Sequence, residues 1–168
     1  MGVVKNARQV SRPPASQSTR AIVGLFGSAD RVRALMETLV EPHGITGQQY
    51  NVLRILRGAE PDGLPTLTIA RRMIERAPGI TRMIDRLEAK ALVARERRGG
   101  DRRCVHCRIT RTGLDLLGAL DAPVSAAERT AFGALSDREV SQLTTLLERV
   151  RDAHTAPASK KPRRRAGR

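Results

Sequence analysis

The stretch from Pro78 to Thr110 reads PGITRMIDRLEAKALVARERRGGDRRCVHCRIT, and two hydrophobic periods meet inside it. In its first part, Ile80, Met83, Ile84 and Leu87 recur at the three-and-four spacing of one helix face. Pro78 suits the first turn of that helix, where its missing N–H would have no partner anyway. The spacing predicts a helix from about Pro78 to about Lys90, with Pro78, Gly79, Thr81, Arg82, Asp85 and Arg86 on the opposite face. From Leu92 the period shortens towards two. Val93–Arg98 and Arg103–Ile109 then read as two strands around Gly99-Gly100-Asp101. Alternation turns Val105, Cys107 and Ile109 inward and Cys104, His106 and Arg108 outward.

Upstream, Ile22, Leu25, Phe26, Ala29, Val32, Leu35, Met36 and Leu39 predict a helix over about Thr19–Val40, ended by Pro42 and Gly44. Thr46 and Gln49 form a capping box for a second helix, whose apolar face is Tyr50, Leu53 and Leu56 and which Gly58 closes. Pro61–Pro65 reads as a loop. Thr66 is the expected N-cap of a short helix running to about Met73, with a break at Ile74-Glu75-Arg76. Downstream of Thr110, Leu114, Leu117 and Leu120 restore the helical period, and Pro123 is expected to bend or interrupt it. Ser136, with Glu139 three residues on, caps a last helix whose face is Val140, Leu143, Leu146, Leu147 and Val150. Two short helices followed by a basic hairpin make a winged helix-turn-helix over about 46–110. The expected fold is mainly α with a small β-hairpin wing. Residues 1–18 read as a disordered N-terminal arm, and 154–168 as a basic disordered tail.

The chain has 168 residues, a size suited to one domain, and a formal net charge of +14. Its pI of 11.5 lies above the value of about 9 that marks nucleic-acid binders. Lys and Arg set against phosphates release condensed counterions, so such a surface attracts nucleic acid before any sequence is read. A surface basic for solubility, or for an anionic membrane, carries the same charge. Aromatics make up only 2%, which leaves a core of Leu, Ile, Val, Ala and Met and favours packed helices. The start of the chain lacks an apolar signal core, and no run approaches the roughly 18 consecutive apolar residues of a membrane span. A soluble, cytoplasmic protein is expected.

In a helix-turn-helix the second helix enters the major groove and meets base edges near its N-terminus. Arg82 can bind a guanine edge bidentately, worth roughly 1–3 kcal/mol of discrimination. Thr81 can touch a thymine methyl or a phosphate, and Arg86, a turn further on, meets phosphate. The competing reading is a solvated face with Arg82 paired to Asp85 or Glu75. At the hairpin tip Arg95, Arg97, Arg98, Arg102 and Arg103 surround the glycine turn. Such a tip suits a narrow minor groove, and it is also what a solvated charged turn with Asp101 pairing an arginine looks like. Arg71 and Arg72 meet the DNA backbone or nothing.

Residues Ile80 to Val93 closely resemble the recognition helix of the MarR (multiple-antibiotic-resistance regulator) family, roughly V-T-R-L-V-D-R-L-E-x-K-G-L-V. Asp101-Arg102-Arg103, followed by Ile109-Thr110-Arg111-Thr112-Gly113, resembles that family's wing motif, D-x-R leading to L-T-x-x-G. The likeness extends over about Ile22–Arg151. It implies that Asp101 braces the wing and that Arg103 probes the minor groove. It implies a homodimer built by helices at about 19–40 and 111–153, on a pseudo-palindromic double-stranded operator with half-sites about one turn, ~10 bp, apart. It further implies a repressor released by a small-molecule effector. Two positions depart from the pattern. Ile74 stands where Gly is frequent, and Ala91 stands where Gly is usual. Ala91 must therefore accept a left-handed conformation, or the helix ends differently.

Other signals carry less. Cys104 and Cys107 fall on opposite strand faces, too few and too far apart for a metal site or a disulfide. No metal and no cofactor are expected. An outward Cys104 beside Arg102 and Arg103 fits a redox-responsive thiol with a lowered pKa. Glu37 and Glu41 read as ordinary surface. No nucleophile, triad or phosphate-cradling loop suggests an enzyme. Two alternatives to the effector-released repressor remain: a redox-responsive regulator acting through Cys104, and a non-specific architectural DNA binder served by the charge and the basic tail.

Overall fold

The computed structural model describes residues 16–74, 79–97 and 105–155. In chain order these form α1 (Gln17–Val40), α2 (Gly47–Arg57), β1 (Leu64–Pro65), α3 (Thr66–Arg72), α4 (Ile80–Ala89), β2 (Val93–Arg97), β3 (Val105–Ile109), α5 (Arg111–Phe132) and α6 (Asp137–Thr155). The fold is mainly helical with one small antiparallel sheet. The chain divides into two compact units, with the boundary between Val124 and Ser125 inside α5. Among the described residues, no helix is long and apolar enough to cross a membrane.

α1 begins two residues before Thr19, because the Ser16 hydroxyl accepts from the Thr19 N–H and fixes the first turn there. Gln17 and Ser18 thus belong to the helix rather than to the arm. Glu41-Pro42-His43 tighten into a 3-10 turn and Gly44 reverses the chain with φ +71°. The C-terminal end of α1 enters the core at Val40, whereas Ile22, Val23 and Phe26 are exposed in the single chain. α2 starts on the expected capping box: the Thr46 hydroxyl accepts from the Gln49 N–H, and the Gln49 side-chain Oε1 accepts from the Thr46 N–H. A third acceptor was not foreseen. Glu37 on α1 takes the Gly47 N–H at 2.9 Å, so this carboxylate is not idle surface. It sits at the positive end of α2 and joins the two helices.

The sheet has the order β1-β3-β2. Leu64 and Pro65, read as loop from the sequence, pair with Cys107 and His106. Pro65 is tolerated there because β1 is an edge strand that needs few donors. Gly63, with φ +65°, makes this approach possible: a Cβ there would lie 2.5 Å from the Cys107 carbonyl oxygen. The N-cap of α3 is Pro65, not Thr66; Thr66 is its first helical residue, and its hydroxyl lies 3.6 Å from the Cys107 sulfur.

β2 and β3 pair in one register from Val93↔Ile109 to Arg97↔Val105. Cys107 and Ile109 are buried as expected. His106 and Arg108 were expected to face out, but both are half-buried. Asp62 brings its carbonyl within 3.3 Å of His106 Nδ1, and Arg108 lies between Glu96 at 3.2 Å and Glu60 at 3.7 Å. The segment leading into β1 therefore covers that face.

Thr110 links the sheet to α5. Its hydroxyl donates to the Ala91 carbonyl and accepts from the Gly113 N–H. Gly113 has no room for a side chain, since a Cβ would strike the Leu92 carbonyl and lie 2.7 Å from Ile109 Cγ1. Pro123 does not interrupt α5, which runs unbroken through it. Leu117, Leu120 and Val124 are buried along one face. Val124, the residue after the proline, is among them, so the buried face continues past Pro123. The first unit's core joins these residues to Leu53, Leu56, Ile69, Ile84 and Leu87. In the second unit, Ser136 and Glu139 cap α6 reciprocally, and Leu146, Leu147 and Val150 on α6 are exposed.

Candidate nucleic-acid interface

α4 starts at Ile80 with Gly79 as its N-cap, two residues later than the sequence suggests; Pro78 lies outside the described residues. Ile80, Ile84 and Leu87 turn into the core, and Met83 packs against it. The other side of the helix presents Gly79, Thr81, Arg82, Asp85 and Arg86 to solvent. Their exposure follows from the 3.6-residue period once the apolar positions are buried. Arg82 does not pair with Asp85, because Asp85 is taken by Arg95. Both side chains are exposed, and neither Arg82 nor Arg86 has a hydrogen bond or ion pair to another described residue.

α4 ends in a tight reversal. The Leu92 N–H donates to Leu87 O and the Ala91 N–H to Glu88 O, with Ala91 at φ +55°. This is the Schellman arrangement, in which a residue in the left-handed region lets two terminal carbonyls be satisfied. The expectation that Ala91 accepts that conformation is met. The Lys90 ammonium donates to the Gly44 carbonyl, pinning the same corner to the turn after α1.

The five arginines expected around the hairpin tip do not all reach outward. Arg95 folds back onto α4, with Nη2 2.5 Å from Asp85 and Nη1 2.5 Å from Glu88. Its guanidinium pKa is raised, first by the hydrogen bond to Asp85 and also by the charge of Glu88, against an opposing effect of burial. Arg97 is the last residue of β2, opposite Val105. Arg98, Asp101, Arg102, Arg103 and Cys104 lie outside the described residues, as do Glu75 and Arg76. On α3, Arg71 donates to the Thr68 hydroxyl at 3.1 Å and Arg72 is exposed. The sequence reading also has no counterpart for the Arg95 clamp, or for Arg57 on α2, whose Nη1 donates to both carboxylate oxygens of Asp121 on α5 at 2.9 and 3.0 Å. The i, i+3 carboxylates Asp85 and Glu88, beside an arginine-rich strand, were the available signal for the first.

An exposed basic helix face braced by a two-stranded ribbon is the geometry of a winged helix-turn-helix. The MarR family model matches residues 45–105, from two residues before α2 to the first residue of β3. A MarR transcription factor from Planctomyces limnophilus is 39% identical, with 80% of this chain and 97% of that one covered and a TM-score of 0.62. The chain belongs to the MarR family. As a MarR-family member it is a DNA-binding transcription regulator. It is also similar to the homoprotocatechuate degradative operon repressor of Escherichia coli, 26% identical over 75% of this chain and 84% of that protein. The fold is shared with S. aureus MepR, solved in a complex with DNA, at 22% identity, a TM-score of 0.70, and coverage of 83% of this chain and 98% of that one.

Proposed function

We propose that this MarR-family chain is a sequence-specific repressor that binds a pseudo-palindromic operator as a homodimer and is released by a small-molecule effector. The observation that carries the reading is the solvent face of α4, where Arg82 and Arg86 stand one turn apart on a helix anchored by Ile80, Ile84 and Leu87. In the proposed complex Gly79 and Thr81 lie where the helix enters the major groove, Arg82 reads a guanine edge, and Arg86 meets phosphate. Pro78, Arg97, Arg98, Arg102 and Arg103 belong to the same proposed interface, with Asp101 bracing the wing. The exposed apolar residues of α1, and separately those of α6, are the surfaces a second copy would cover. Repression is supported by the likeness to the E. coli operon repressor, and DNA binding by the fold shared with MepR. Release follows if an effector favours a dimer geometry in which the two α4 helices no longer match successive major grooves.

The net charge of +14 also favours a second reading, a non-specific architectural binder. One experiment separates the two. Operators are selected from a random duplex pool, and each is competed against random DNA at about 150 mM salt. Specific recognition predicts a preference of at least ~10³-fold for the operator. Equal binding to both would reject the repressor reading in favour of the architectural one.

A further inference from the structure

We infer that Arg95 is a positioning residue for operator recognition: by spanning Asp85 and Glu88 it locks the first wing strand to the recognition helix, so that both reach DNA in one fixed register. This inference rests on the operator-binding reading above.

Arg95 sits at the middle of β2. It pairs across the ribbon with Cys107, which is fully buried, so Arg95 lies on the inward face of β2, in line with buried Val93. An arginine on that face must bury its stem and find partners for its charge. It finds two, on one helix. Nη1 meets Glu88 and Nη2 meets Asp85, three residues apart on α4, each at 2.5 Å. A planar guanidinium held by two carboxylates fixes direction as well as distance, which a point charge cannot do. The side chain is 26% exposed, so water competes for only part of it. Asp85 lies between Arg82 and Arg86 on the exposed side of the helix. The clamp therefore attaches at the surface proposed to meet DNA, and what it orients is the ribbon leading to the wing.

A second ion cluster holds the opposite face of the ribbon. Arg108 on β3 joins Glu96 on β2 and Glu60 ahead of β1. That cluster stiffens the sheet itself, and only Arg95 ties the ribbon's side chains to charged groups of α4 among the described residues. Without Arg95 the ribbon and the helix would each persist, while the angle between them would loosen. The core beneath is apolar and independent of the pair.

The test uses the full-length protein and an operator selected from random DNA. Arg95→Lys keeps the net charge but cannot span both carboxylates. Glu88→Gln removes one carboxylate and makes the protein more basic, so general electrostatics alone would tighten its binding. Positioning predicts that both variants lose about tenfold or more in operator affinity while random-DNA affinity stays within about twofold. It also predicts a split footprint, in which protection of guanine N7 in the major groove persists and hydroxyl-radical protection at the wing's minor groove fades. The inference is overturned if either variant binds the operator as the parent does, or if operator and random DNA lose affinity equally. Should the parent itself prefer no sequence, the repressor reading fails, and this inference fails with it.

Discussion

Replacing Ala91 by glycine should stabilise the protein. Ala91 adopts φ +55° at the end of α4, where its N–H and that of Leu92 close the helix onto Glu88 and Leu87. An L-residue in the left-handed region costs roughly 1–2 kcal/mol. Glycine removes that strain but gives the unfolded chain more freedom, which takes back about 0.4–1 kcal/mol. Ala91 is exposed, so its methyl contributes little burial. The net expectation is a gain of roughly 0.5–1 kcal/mol, or a rise of about 1–4 °C in melting temperature for a chain this long. Urea and thermal unfolding measure it, at matched protein concentration because an oligomer's midpoint depends on it. Ala91→Val serves as the control and should destabilise, since a β-branched residue fits that conformation worst. A glycine variant that melts below the parent would refute the left-handed assignment and the reversal built on it.

Gly113→Ala should cost about 2 kcal/mol or more by denaturant unfolding, because the new Cβ must displace the Leu92 carbonyl or Ile109; an unchanged midpoint would mean that α5 packs less closely on the ribbon. The carboxyl pKa of Asp121 is lowered chiefly by its hydrogen bond with Arg57, and that of Glu139 by the backbone and hydroxyl of Ser136. Depressed values mean stability that is present above the ordinary carboxylate range and lost as pH falls through the folded values. Asp121→Asn and Glu139→Gln should each flatten the acid limb of a stability–pH curve, and a curve parallel to the parent's would show that the pair or cap does not form in solution.

Much of the fold was legible because its signals are local. The pairs Thr46–Gln49 and Ser136–Glu139 each act within one turn, and both caps form where the spacing placed them. The period of Ile80, Ile84 and Leu87 decided which side of α4 is exposed, and the alternation Cys107–Ile109 decided the buried face of β3. What was missed depends on residues distant in sequence. Leu64 and Pro65 form a strand only because β3 lies alongside. Arg57 and Asp121 are sixty-four positions apart. Glu37 meets the N-terminus of α2 only after Gly44 turns the chain. Arg95 was read as one more arginine of the tip because Arg97 and Arg98 follow it closely in sequence. Its partners, Asp85 and Glu88, come from the helix before it.

If the outer face of α4 reads bases, removing the Arg82 guanidinium should show it. The measurement is the affinity of parent and Arg82→Ala for a selected operator and for variants with each half-site base pair replaced in turn. The account predicts that the parent discriminates at one guanine-bearing pair per half-site by roughly 1–3 kcal/mol, and that Arg82→Ala erases the preference at that pair alone while its melting temperature holds. An alanine variant that keeps the full base preference at every position would contradict it.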